Sequence, residues 1–266
     1  VEAKGNIADK SGKQITTFET QHNGMGVLET EFTSGTEYVA NISTGNGSTL
    51  QFKLPAIKEE GIVLRVENTN PNRLFILLNR SEKNKEKYNK VKVLAQINYQ
   101  VVFNNELNID EGQNAAPISK KNLPPGILHI TVFDVNNIPI AERLAFVENY
   151  NLEKPTIKLE SINLKPRAKN QISFGVDSVK TALSVAITTA SLGSDASVED
   201  NIASSFLLTS DLKGEIINPG YYFKNKDALT LRHLDLLLMT QGWRRFEWKK
   251  VMNNEFVTLK YPVESG

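Results

Sequence analysis

Trp243, Arg244, Arg245, Phe246 and Trp248 fall within six consecutive positions, and Tyr221, Tyr222 and Phe223 form a second aromatic run some twenty residues earlier. Interleaved rings and guanidinium groups stack on sugars or bases, or anchor a partner protein, because they combine large contact area with directional donors. They serve equally well internally, with rings filling the space between helices and a sheet while arginines pair with acids or lay their stems across the rings. Spacing alone leaves both uses open. The three histidines, His22, His129 and His233, show neither HExxH nor HxH spacing. They fall in a turn, a strand and a helix of three different expected domains, so no metal centre is expected from them.

Other chemistry is thinly represented. The chain has no cysteine, which removes disulfides, thiolate nucleophiles, cysteine-ligated zinc and thioesters together. There is no GxSxG elbow, no GxxxxGK[ST] phosphate loop and no GxGxxG after a strand; His22-Asn-Gly-Met-Gly26 carries two glycines but opens a strand. The acid-rich turns Asp110-Glu-Gly112 and Asp134-Val-Asn136 offer oxygens to calcium but lack the spacing of a calcium loop, and ordinary turn chemistry accounts for them. Asn-x-Ser matches at Asn41, Asn46 and Asn79 are read as chance. No catalytic, cofactor-binding or metal-ligating residue is therefore assigned. With 31 basic against 30 acidic residues, a net charge of +1 and the charges well mixed, nothing favours a nucleic-acid partner. The run Ser81–Lys87 interleaves acids with its lysines and reads as a solvated loop. No window reaches the roughly 20 apolar residues of a membrane span.

The elements that must position the aromatic residues are mostly strands. Residues 1–60 read as short strands (Gln14–Thr20, Val27–Phe32, Glu37–Ile42, Thr49–Leu54) between glycine-bearing turns. That is too few for an immunoglobulin-like sandwich of about seven strands, so a domain lacking its first strands is expected. From Gly61 to residue 150 seven further strands follow, starting near Ile62, Arg73, Val91, Tyr99, Ala116, Ile127 and Ile138, enough for a complete sandwich. After the polar segment 149–155, strands resume at Thr156–Glu160, Gln171–Val176 and Leu183–Thr188, and a third domain is expected over 151–266.

Within about 197–250 the period changes from two to that of a helix. Ser197-Val-Glu-Asp200 has capping spacing for a helix over Ile202–Leu212, stopped by Gly214. Asn218-Pro-Gly220 marks a turn in the connector Glu215–Phe223. A second helix should begin near Asn225–Asp227 and run to about Gln241. Its leucines leave only Arg232, His233 and Asp235 for a polar arc, too narrow for a helix lying on a membrane, so protein must cover it. The expected fold is mainly β: tandem immunoglobulin-like antiparallel sandwiches with a two-helix insertion in the last domain.

Three ordered stretches, Asn201–Gly214, Ile217–Phe223 and His233–Arg245, make the chain resemble a group of large exported proteins of Gram-negative gut and soil bacteria. These carry tandem macroglobulin-type sandwiches, often followed by a carboxypeptidase-regulatory-like domain and a TonB-dependent receptor plug-like domain. Gly5–Gly12, Phe18–Gly26 and Gly35–Ala40 are similar to the second half of a macroglobulin-type domain, and Tyr261–Gly266 resembles the lead-in to a regulatory-like module. Both ends are thus expected to be cuts through a longer protein. The thioester of protease-trapping macroglobulins needs a cysteine that is missing here, so covalent trapping is excluded.

The resemblance implies an extracytoplasmic, outer-membrane-associated location, periplasmic or at the cell surface. It carries no catalytic residues over. The expected role is a non-catalytic envelope scaffold or protein-interaction fragment whose partners are other envelope or outer-membrane proteins, such as a transporter or assembly complex. Strand edges and the residues Tyr221, Tyr222, Phe223, Trp243, Arg244, Arg245 and Trp248 are its expected contact points. The alternative is an accessory carbohydrate- or peptide-binding module of an outer-membrane uptake system, with Trp243 or Trp248 stacked on ligand.

Overall fold

The computed structural model describes residues 3–43, 47–109, 113–150, 152, 155–176, 182–185, 187 and 198–255. The chain forms two compact units, one made of Val1–Asn149 with Asp195–Gly266 and the other of Tyr150–Ser194.

The first unit begins with a four-stranded antiparallel sheet of β1 (Lys4–Asp9), β2 (Gln14–Glu19), β3 (Tyr38–Ser43) and β4 (Thr49–Lys53), in the order β2-β1-β3-β4. The β1–β2 turn is set by Asp9, whose carboxylate accepts from the Ser11 and Lys13 amides at 2.9 and 3.0 Å. Gly5 is required in the middle of β1, since a Cβ there would sit 1.9 Å from the Asn41 carbonyl oxygen and collide with the Phe18 ring. Ile7, Tyr38 and Ala40 form a small core with Leu28, Phe32 and Leu54 packed against it. Leu28 and Phe32 were expected in a strand over Val27–Phe32. They lie instead in irregular chain, where Phe32 meets Tyr38 edge-on at 4.8 Å and covers the sheet without pairing.

Seven strands then build a sandwich: β5 (Ile62–Glu67), β6 (Arg73–Arg80), β7 (Lys90–Ile97), β8 (Gln100–Asn108), β9 (Gln113–Ser119), β10 (Gly126–Phe133) and β11 (Pro139–Val147). One sheet runs β5-β6-β9 and the other β11-β10-β7-β8, all antiparallel. Alternation places Leu74, Ile76 and Leu78 of β6 opposite Val91, Val93, Ala95 and Ile97 of β7, with Leu128, Ile130 and Val132 of β10 in the same core. β10 departs from alternation: all eight of its residues are buried. Its even-numbered side chains fill the sandwich, so Ile127, His129, Thr131 and Phe133 need a second cover.

That cover is the helical segment. Asn201 caps α1 (Ile202–Ser204), accepting from the Ala203 and Ser204 amides while Ser204 Oγ accepts from the Asn201 amide; the cap expected at Ser197 lies outside the described residues. The run widens into a π-helical turn over Ser205–Thr209 and stops short of the expected Leu212. After the Asn218-Pro-Gly220 turn comes an unexpected short helix, α2 (Tyr221–Lys224). α3 (Ala228–Thr240) begins at Asp227, whose carboxylate accepts from the Thr230 amide at 2.8 Å, and ends at Gln241, as expected. A last turn, α4 (Trp248–Met252), follows.

Leu234, Leu236, Leu237 and Leu238 of α3 are buried, and Asp235 pairs with Arg143 of β11 at 2.7 Å. Three residues depart from the expected helical arcs: His233 is buried, whereas Leu229 and Met239 are exposed. The helices therefore join the body made by residues 1–149 rather than a third sandwich. A buried face was waiting for them on β10 and β11. No helix among the described residues is long and apolar enough to cross a membrane.

The second unit holds a hairpin of β12 (Thr156–Ser161) and β13 (Gln171–Gly175), paired antiparallel with Ser173 Oγ donating to Glu160 at 2.7 Å. The strand expected over Leu183–Thr188 lies partly outside the described residues, and its described residues are not in a strand.

Gly220 fixes where α2 starts: a Cβ there would sit 2.3 Å from the Glu199 carbonyl oxygen and 2.9 Å from the Val198 carbonyl carbon. Backbone cannot yield as a side chain can. Gly220→Ala should lower stability by about 1–3 kcal/mol, read as a shift in the urea midpoint at unchanged slope.

Candidate functional site

The expected site residues fall into two aromatic groups on the helical layer, each built around a histidine. In the first, the His129 ring on β10 stacks under Trp243 with centroids 5.0 Å apart and planes 11° from parallel, and Phe246 meets it edge-on at 5.3 Å. Trp248 packs edge-on against Phe133 and Phe246, each at 5.0 Å. Its indole Nε1 donates to Thr131 Oγ1 at 2.8 Å. His129 is held from both sides, by Glu142 at 2.8 Å on Nε2 and by the Gln96 amide at 3.3 Å on Nδ1. The tryptophans thus cover the outer face of β10. The Trp243 indole nitrogen is buried without a hydrogen bond among the described residues.

The chain reaches this position because Lys213 and Arg244 donate their amides to the Gly242 and Asp211 carbonyls at 2.7 and 2.9 Å, pinning 242–244 beside 211–213. Arg245 is held by an ion pair with Asp211, and its guanidinium carbon lies 5.7 Å from the centre of the Tyr99 ring. Arg244 is exposed.

The second group joins α2 and α3 to the turn between Gln21 and Met25. His22 stacks on His233 at 4.2 Å and on Tyr221 at 4.7 Å, and the Tyr221 hydroxyl lies 2.7 Å from His233 Nδ1. Tyr222, 1 % exposed, presses edge-on against Tyr221 at 5.3 Å and His22 at 5.6 Å. Burial pushes its phenol up to about 12, so it stays neutral. Phe223 meets Phe146 edge-on at 5.9 Å. These three residues, expected as outward anchors, make internal contacts. Burial holds both His22 and His233 below the ordinary histidine range, helped at His22 by His233 and at His233 by Arg232.

The structure therefore brings together two histidines that had been assigned to separate domains. Their encounter depends on where α3 lands, which no local pattern encodes. Among the described residues no group of three His, Asp or Glu side chains is placed to hold a metal. Of the calcium candidates, Asp134 accepts from the Asn136 and Ile138 amides at 2.9 and 2.8 Å, as a turn residue does. Asp110–Gly112 lie outside the described residues.

A pocket and an exposed strand are open to a ligand or partner. An open pocket of about 480 Å³ runs between β11 (Pro139, Ile140, Ala141, Glu142) and the Trp243, Phe246 and Trp248 rings, with Lys213, Glu247 and Lys249 at its rim. Lys213 holds Glu247 below the usual carboxylate range. Separately, every residue of β4 is exposed, with Leu50 and Phe52 about half exposed on one face.

No family model matches the chain, and no curated protein matches it. Among solved structures, the apo structure of a Bacteroides uniformis beta-glucuronidase 3 aligns with a TM-score of 0.25 and 10% identity, over 55% of this chain and 21% of that one. The fold assignment rests on the strand pairing above.

Tryptophans serving as cover are shielded from a charged quencher. Iodide should quench the emission weakly relative to urea-unfolded chain. Trp248→Ala should cost about 2–4 kcal/mol of stability, and Thr131→Val less than about 2 kcal/mol by orphaning the indole donor. Unchanged urea midpoints in both variants would show that the rings are not structural.

Proposed function

We propose that the chain is a non-catalytic scaffold and protein-interaction fragment, working at the cell envelope as part of a larger outer-membrane-associated protein of the macroglobulin-type group it resembles. The observation that carries the interaction role is β4. It is the terminal strand of its sheet, its outer N–H and C=O groups lack a ladder partner among the described strands, and it displays Leu50 and Phe52. Such an edge is a template for strand addition, in which main-chain hydrogen bonds supply affinity and alternate side chains supply selectivity. The partner is another envelope protein, offering an extended segment with apolar residues at alternate positions. The placement at the envelope rests on the resemblance.

Most of the aromatic and arginine residues of the helical layer support the scaffold half of this reading. They are committed to fixing the layer on β10 and to bridging it with the first sheet. The pocket beside Trp243, Phe246 and Trp248 favours a second reading, an accessory carbohydrate- or peptide-binding module of an uptake system. Its rings already stack on one another, which leaves less ring face for a sugar than a dedicated platform presents.

A photo-crosslinking residue in place of Gln51 should give one discrete adduct in envelope extracts, and Phe52→Lys should abolish it. The same probe at exposed Lys249 should give none. If both positions label equally, or if a panel of oligosaccharides shifts the tryptophan emission while position 51 stays silent, the second reading replaces the first.

A further inference from the structure

The turn carrying His22 is a tight hairpin: Asn23 and Gly24 both have positive φ, at 48° and 80°, and the Met25 amide donates to the His22 carbonyl at 2.8 Å. Besides the Tyr221 and Tyr222 rings against His22, this hairpin meets α3 through three of its residues. Arg232 Nε donates to Gln21 Oε1 at 2.9 Å, Thr240 Oγ1 lies 3.1 Å from Met25 Sδ, and the His22 ring lies on His233 at 4.2 Å with planes 10° apart. The first two are exposed polar contacts, worth little against water. The stacked imidazoles, with Tyr221 and Tyr222 packed around them, are the sheltered contact.

We propose that His22 and His233 form a proton-operated latch between the first sheet and the helical layer, closed while both imidazoles are neutral and released when they are charged. Two imidazolium ions at this separation repel, and Asp227, which favours a charged His233, offsets that only in part, since burial and Arg232 still hold His233 low. From the hairpin, residues 21–25 bring no charge. From α2 come the Tyr221 and Tyr222 rings, which pack on His22. From α3 come Arg232, another cation, and Asp227, whose carboxylate is already accepting from the Thr230 amide; Asp235 is paired with Arg143.

Hydrogen bonding also favours the neutral pair. The Asn23 amide nitrogen lies 3.1 Å from His22 Nε2, an arrangement that needs that nitrogen unprotonated. Both histidines are shifted below the ordinary value near 6.5. The open state, with ordinary histidines, therefore takes up protons first as pH falls. The latch is at full strength above the ordinary value and weakens as pH drops through it, and the loss levels off only below the lowered values. Acid thus favours opening.

The test uses the full chain: histidine ring protons followed by NMR across pH, with amide hydrogen exchange at Met25 in the hairpin and at Ile130 in β10. His22 and His233 should both titrate below the ordinary value. Protection at Met25 should fall by about tenfold from about pH 7.5 to about pH 5 after correction for intrinsic exchange, while Ile130 stays protected. His22→Phe, which keeps a stacking ring without the charge, should remove most of the fall. Titration of both rings at or above the ordinary value overturns the latch, and wild-type protein decides this even if the variant misfolds. Parallel loss of protection at Ile130 overturns it too, because the opening would then be global.

Discussion

The two-sided burial of β10 is the constraint on which the rest of the structure depends. An antiparallel strand in a sandwich normally keeps one face for solvent, and β6 and β7 largely obey that pattern. β10 does not, because Ile127, His129, Thr131 and Phe133 on its outer side are as dry as Leu128, Ile130 and Val132 on its inner side. Two of those outer residues are polar, and a buried polar group needs a partner. His129 finds Glu142 and Gln96, and Thr131 accepts the Trp248 indole proton. The tryptophan segment both dries the strand and satisfies it, which explains why a Trp stands where a purely apolar residue would also have filled the space.

Covering β10 also brings the helical layer within reach of the first sheet. α3 lies on β11 through its buried leucines, each contributing about 1.5–3 kcal/mol on full burial. The partly buried Arg143–Asp235 pair contributes less but fixes register along the helix. With that placement set, the opposite arc of α3, carrying Arg232, His233 and Thr240, faces the hairpin at Gln21–Met25. The first sheet's own core is small, a cluster of Ile7, Tyr38 and Ala40 with a few partly buried neighbours among the described residues. Its docking against α2 and α3 therefore matters to its stability more than it would for a complete sandwich.

Much of this was legible in sequence, and the reasons differ by element. The strands of the sandwich were readable because alternation and glycine-rich turns are local signals, and α3 because Asp227 caps a dense leucine run. Val27–Phe32 misled because β-forming residues also serve as irregular cover. α2 and the π-helical turn were hidden because four or five residues carry no periodicity. The destination of the helices was hidden for another reason: it is set by the outer face of β10, about a hundred residues earlier. Ile127-Leu-His-Ile-Thr-Val-Phe133 still alternates, with polar His129 and Thr131 on the outer side, so the sequence reads as a one-faced strand and hides the second layer that buries both faces. For the same reason the tryptophans could be weighed from sequence but not placed, and His22 and His233 could not be paired.

The strand edges separate surface from architecture. In the sandwich, β11 packs beside β5 and lies under α3, and β8 approaches β9, so the margins of its two sheets lean on one another. β8 also induces a register shift in its pairing at Ala95/Gln96, which bends an edge away from further pairing. β4 has no such protection among the described residues. It contains no proline, pairs with β3 in unbroken register, and its one charge, Lys53, is drawn to Glu37. Edges left flat, apolar and uncharged are costly to a protein in solution because they invite indiscriminate pairing. Leu50 and Phe52 therefore stand on a regular edge with none of these devices among the described residues, and that contrast supports the proposed strand addition.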